Sequence, residues 1–158
     1  MPHPSDGVPS GFRAYEPERF FYQAVGPIYI RRQDRTVNCG IRVAERHVNI
    51  AGICHGGMLF SLMDIQMGFG ANLETGTPGF LATVNMTVDF MAAVDLGQWV
   101  EASSSVVKQT RSLVFTEGRL TADGEVVLRA NAVLKVPRRL AEVVVDGMLE
   151  QTEGKPGA

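Results

Sequence analysis

The stretch Gly57-Met58-Leu59-Phe60-Ser61-Leu62-Met63-Asp64-Ile65-Gln66-Met67-Gly68-Phe69-Gly70-Ala71-Asn72-Leu73 decides the fold. Its apolar side chains leave almost no polar face, so a helix over residues 56–73 has to be covered on most sides. Gly68 and Gly70 weaken such a helix by about 1 kcal/mol each relative to alanine. Their use is to let another backbone or a partner come close. Asp64 is the only charge in the stretch. A carboxylate in so apolar a run is costly to bury unless something there needs it.

Just upstream, Asn49-Ile50-Ala51-Gly52-Ile53-Cys54-His55-Gly56-Gly57 is a polar, glycine-rich entry into the helix. Exposed N–H groups at a helix start suit an anion or a developing oxyanion. The same glycines also suit a tight loop-to-helix connection. Asn49 taken alone reads as a turn former, and His55 as a satisfied core histidine. No second ligand stands at useful spacing, so a metal site is not expected. Cys54 and His55 are adjacent and point opposite ways in an extended stretch, so they do not form a thiolate–imidazole pair.

Downstream, Gly76-Thr77-Pro78-Gly79 ends the helix and the period changes to two. Over residues 81–91, Ala82, Val84, Met86, Val88 and Phe90 alternate with Thr83, Asn85, Thr87 and Asp89, a half-buried strand. Further strands are predicted over 36–43, 98–109, 112–120 and 126–136, the last two joined through Asp123-Gly124, a hairpin signal. Pro137 stops the last strand. A short helix over 16–25 carries Phe20-Phe21-Tyr22, and Gly26-Pro27 breaks it. The organisation expected is a flexible tail over 1–15, one domain over 16–137, and an unassigned extension over 138–158. One apolar helix and one sheet with an apolar face bury each other, an α+β arrangement.

A chain of 158 residues suits one domain. With 45% hydrophobic and 20% charged residues, global disorder is excluded. The net charge of -2 gives no reason to expect nucleic acid or an anionic membrane as partner. No apolar run is long enough for a membrane span, and the N-terminus lacks a secretory pattern. Cys39 and Cys54 form no CxxC motif, so a reduced cytoplasmic protein is expected. GxGxxG and Walker loops are absent, and Ser103-Ser104-Ser105 has no GxSxG setting.

Asn49-x-x-Gly52-x-x-His55-Gly56-Gly57, followed by an apolar helix bearing Asp64, resembles the hotdog-fold acyl-CoA thioesterases of the PaaI-like branch. Residues 83–91 and 108–116 extend the resemblance, which covers roughly 26–136. It implies a hotdog fold, one long helix wrapped by an antiparallel sheet of about five or six strands. It also implies a homodimer, commonly paired again into a tetramer, that hydrolyses an acyl-CoA to free acid and CoA. No metal or cofactor is implied, CoA being part of the substrate. On this resemblance Gly56 and Gly57 N–H groups polarise the thioester carbonyl, Asn49 holds the water or the carbonyl, and His55 braces the turn. Asp64 acts as general base or as nucleophile, beside Thr83 of the neighbouring copy. Asn85, Phe90, Lys108, Gln109, Thr110, Arg111, Ser112 and Leu113 correspond to the CoA-binding surface. Thr110 departs from the glycine that relatives often carry there. Phe60, Met63, Phe90 or the Phe20-Phe21-Tyr22 segment would line an aryl or medium-chain acyl site. The rival from another class is a hotdog that binds acyl-CoA without turning it over.

Overall fold

The structure is a computed structural model and describes residues 7–15, 17 and 21–137. Its elements are β1 (Arg13–Tyr15), α1 (Tyr22–Val25), β2 (Ile28–Gln33), β3 (Thr36–Arg42), α2 (Gly56–Thr75), β4 (Ala82–Phe90), β5 (Trp99–Gln109), β6 (Leu113–Ala122) and β7 (Glu125–Lys135). The strands form one antiparallel sheet in the order β1-β2-β3-β5-β6-β7-β4. The sheet wraps α2. Leu62, Met63 and Met67 of the helix are fully buried, as are Ile28, Ile41, Leu120, Leu128 and Leu134 of the strands. The helix ends at Gly76, whose left-handed φ of 64° lets its N–H reach Asn72 O at 3.0 Å.

One stripe of α2 stays open. Gly57, Phe60, Ser61, Asp64 and Gly68 recur every three or four residues and none of them is buried. The two outer strands flank this stripe. On one side Tyr15 of β1 meets Phe69 edge-on at 5.8 Å, and on the other Thr83 of β4 meets Asp64. Among the described residues β4 pairs only with β7, so its other edge is free. Val84, Phe90 and Met91 are 60%, 53% and 57% exposed there, an apolar edge of the kind a second strand covers.

Gln66 shows how the helix is held against the sheet. The β3–β5 ladder ends at Cys39↔Ala102. Beyond it the fully buried Gln66 carboxamide accepts from Cys39 N–H at 2.8 Å and donates to Val37 O at 2.7 Å and Ser104 Oγ at 3.0 Å. The strand groups that lose ladder partners are thereby satisfied from the helix. Gly70 permits this approach, since a Cβ there would collide with Ser104 Oγ. The close approach expected at Gly70 therefore comes from β5 of the same chain. Gly68 meets nothing within 4 Å.

The sheet has seven strands where about five or six were expected. The additions are β1, too short to show a period, and β2, whose Ile28-Tyr29-Ile30 is buried on both faces and so does not alternate. The expected tail over 1–15 includes β1, and Phe12 packs edge-on against Trp99 at 5.0 Å. Of the helix expected over 16–25, the described part is Tyr22–Val25. Phe20 and residues 138–158 lie outside the described residues.

Candidate active site

The entry to α2 is built by two histidines. His55 is the N-cap, in an extended conformation (φ -64°, ψ 134°), and its Nδ1 accepts from Gly57 N–H at 2.8 Å. Met58 and Leu59 N–H groups bond to His55 O. Gly56 N–H is left without a hydrogen-bond partner among the described residues. Of the two expected oxyanion donors, Gly57 is therefore engaged by the cap and Gly56 is available. His55 N–H donates to His47 O at 2.7 Å. His47, which the sequence did not single out, is buried. Its Nδ1 accepts from Ala44 N–H at 3.0 Å and its Nε2 donates to Val25 O at 2.9 Å. Those partners require the neutral imidazole, and burial pushes its pKa below the ordinary value.

Asn49 closes the loop before the cap. Its Oδ1 accepts from Ala51 N–H at 2.9 Å, while its backbone bonds Ile53 O and Gly52 N–H, an Asx turn. Its Nδ2 has no partner among the described residues. Cys54 is buried, with its thiol pushed up to about 11 by desolvation, which is no setting for a thiolate nucleophile.

Asp64 sits half-buried on the open stripe, and Thr83 Oγ1 donates to its Oδ1 at 2.7 Å. Oδ2 has no partner among the described residues. The hydroxyl gets there through a β-bulge. Thr83 pairs Leu134 and Asn85 pairs Val133, so Val84 is the extra residue. Strict alternation puts Thr83 on the face opposite Met86 and Phe90. The bulge turns it onto the face of the core residue Leu134, with Met86 opposite Ala132. Thr83 and Asp64 thus meet within one chain, which corrects the expected pairing across two copies. Phe90 also faces the helix, close enough that a Cβ at Gly56 would meet its ring at 3.3 Å.

The remaining expected contacts lie elsewhere. Asn85 is exposed and directed away from α2 by the same bulge. Residues 108–113 form the β5–β6 hairpin at the far end of α2, where Gln109 Nε2 donates to Thr77 Oγ1 at 3.2 Å. Thr110 shapes that turn: its N–H bonds Leu113 O at 2.8 Å and its Oγ1 accepts from Leu113 N–H at 3.0 Å. Lys108 and Arg111 are exposed and without ion-pair partners among the described residues, and Ser112 is likewise exposed. A 20-residue helix is about 30 Å long, so one chain does not bring this hairpin to its own Gly56.

Comparison with known proteins adds the class. Residues 51–129, half of the chain, match the family model of the thioesterase superfamily. Human acyl-coenzyme A thioesterase 13 is 32% identical over 111 residues, covering 69% of this chain and 78% of that protein. The crystal structure of zebra fish thioesterase superfamily member 2 is 26% identical and superposes with a TM-score of 0.67 over 75% of this chain and 87% of that one. A hypothetical thioesterase protein from Streptococcus pneumoniae, solved with coenzyme A, is 22% identical with a TM-score of 0.65, over 72% and 91% of the two chains. One long helix wrapped by an antiparallel sheet is thus a hotdog fold, and the chemistry of its class is thioester hydrolysis. This chain belongs to the thioesterase superfamily. Among the described residues no helix is long and apolar enough to cross a membrane.

Proposed function

We propose that the chain hydrolyses the thioester of an aryl- or medium-chain acyl-CoA, releasing free acid and CoA. The observation that carries this reading is the Thr83–Asp64 hydrogen bond on a helix whose first N–H group, at Gly56, is unpartnered. Thr83 holds Oδ1, so Oδ2 faces the reaction. As general base, Asp64 takes a proton from water while the water oxygen bonds to the carbonyl carbon. Collapse of the tetrahedral adduct breaks the C–S bond, and the CoA thiolate takes the proton back. As nucleophile, Oδ2 itself displaces the thiolate, and water then hydrolyses the mixed anhydride to restore the carboxylate. In both routes Gly56 N–H stabilises the oxyanion, and Asn49 Nδ2 is free to hold the carbonyl or the water.

Two copies build each site. Gly56 and Asp64 are eight residues apart, about 12 Å along the axis. Helix N–H groups point out of the N-terminus, so an oxygen held by Gly56 stands about 3 Å farther still. One carbonyl cannot lie on both groups of one chain. A homodimer joined along the free β4 edge supplies the helix N-terminus of one copy to the Asp64–Thr83 pair of the other, and it covers Val84 and Met91. Pairing of dimers into a tetramer is part of the same reading. The partner's hairpin would then bring Lys108 and Arg111 toward the CoA phosphates, with Phe90, Gln109, Thr110, Ser112 and Leu113 alongside. Coenzyme A in the streptococcal relative supports this assignment of ligand. Asn85, on the outer face, belongs to the CoA surface only along the route of the CoA tail. A cytoplasmic setting accords with the free thiols of Cys39 and Cys54.

The test is thiol release from aryl-, short-, medium- and long-chain acyl-CoAs by wild type and Asp64→Asn. Turnover by wild type, lowered at least about a hundredfold in the variant, is expected. Binding of acyl-CoA without turnover would replace this reading with a non-catalytic acyl-CoA-binding module.

A further inference from the structure

On the open stripe of α2, the neighbours of Asp64 differ sharply in bulk. One turn toward the N-terminus stands Phe60, 38% exposed, whose ring occupies the stripe. One turn toward the C-terminus stands Gly68, where an added Cβ would meet nothing within 4 Å. Along the flank of α2 toward β1, Tyr22 of α1 stacks on Phe69 at 6.2 Å and meets Tyr15 edge-on at 5.4 Å. The Tyr22 hydroxyl makes no hydrogen bond among the described residues. The tie from His47 to Val25 O fixes α1 in this place.

We propose that this space is the acyl slot. The acyl group leaves the thioester at Asp64 and runs over Gly68, toward the C-terminal end of α2, with Tyr22 as its side wall. Glycine at position 68 is then the residue that admits acyl groups beyond a set length. This rests on the acyl-CoA thioesterase reading and deepens it. Desolvation, with Asp64 among the lesser contributors, pushes the Tyr22 phenol up to about 12, in keeping with a ring wall that stays neutral near the reacting carboxylate.

The geometry sets the length. Gly68 lies four residues past Asp64, about 6 Å along the axis. A zigzag chain with bonds of about 1.5 Å covers that distance in about five carbons. Acetyl and butyryl groups stop short of residue 68, and octanoyl or phenylacetyl groups cross it.

The experiment compares kcat/KM for acetyl-, butyryl-, octanoyl- and phenylacetyl-CoA in wild type, Gly68→Ala, Gly68→Leu and Tyr22→Ala. Oligomeric state is followed by light scattering and folding by thermal melting. The octanoyl-to-acetyl ratio is expected to fall at least tenfold in Gly68→Leu and by a smaller factor in Gly68→Ala. Tyr22→Ala is expected to shift preference toward bulkier acyl groups. Gly68→Ala keeps the slot testable if the leucine variant does not fold, because alanine is the better helix former. An unchanged ratio in the folded variants overturns the slot. So does an equal loss for all four substrates with a change of oligomeric state, which assigns the space at Gly68 to a second copy. A wild type that hydrolyses no thioester overturns the reading beneath the slot and the slot with it.

Discussion

Replacing Gly56 by proline removes a single hydrogen-bond donor and little else. Gly56 is the first residue of α2, the position where proline is favoured because its missing N–H has no helical acceptor. The residue before a proline must be extended, and His55 already is, at φ -64° and ψ 134°. The added ring carbon would meet the Phe90 ring at 3.3 Å, and Phe90 is 53% exposed and free to turn aside. Folding is therefore expected to survive, with stability within about 1 kcal/mol of wild type. Loss of one oxyanion donor costs about 2.7–4 kcal/mol, roughly a hundred- to a thousandfold in kcat. Gly56→Ala is the control, since it adds the same Cβ and keeps the N–H. Steady-state thiol release on the best acyl-CoA, read beside thermal melts, separates the two. If Gly56→Pro is folded and its kcat stays within about fivefold of Gly56→Ala, Gly56 N–H is not the oxyanion donor.

Thr83→Val removes the hydroxyl that holds Asp64 Oδ1 while keeping shape. It is expected to lower kcat by roughly tenfold, the effect of a lost orienting hydrogen bond of about 1.5 kcal/mol, with Thr83→Ser restoring most of it in the same assay. Gln66→Leu strands the buried Cys39 N–H and Val37 carbonyl. At about 1–3 kcal/mol for each unsatisfied group, urea denaturation should show a loss of about 2–6 kcal/mol. His47 is held neutral with its pKa below the ordinary 6.5, chiefly by desolvation. The unfolded chain therefore binds this proton more readily, so stability conferred by His47 is full above about pH 6.5 and falls as pH drops through the lower folded value. Denaturation midpoints measured across pH 5 to 8 should show that slope in wild type and a shallower one in His47→Gln.

The sequence carried the centre of the molecule and blurred its edges. The apolar run around Asp64 and the glycine entry at residues 55–57 marked α2 because few environments suit both features. Alternation marked β3 through β7 within a residue or two. β1 and β2 escaped because three residues show no period and because Tyr29 is buried on the outer face by Phe12 and Trp99. The Val84 bulge escaped for a different reason. Alternation continues in the sequence through Ala82-Thr83-Val84-Asn85, and only pairing with β7 reveals the extra residue that hands Thr83 to Asp64. Gly56 and Gly57 look alike in sequence, and the His55 side chain distinguishes them. Separation of the 108–113 hairpin from Gly56 is likewise a property of topology, since neighbours in a sheet are not neighbours in sequence.

The central claim is that Asp64 and Thr83 of one copy act with Gly56 N–H of another. Co-expressing Asp64→Asn and Gly56→Pro chains under two different tags, and purifying through both, yields mixed dimers. In a two-copy site each mixed dimer keeps one intact centre of two, so about half of wild-type activity is expected from two inactive parents. Mixed dimers no more active than either parent would contradict the account.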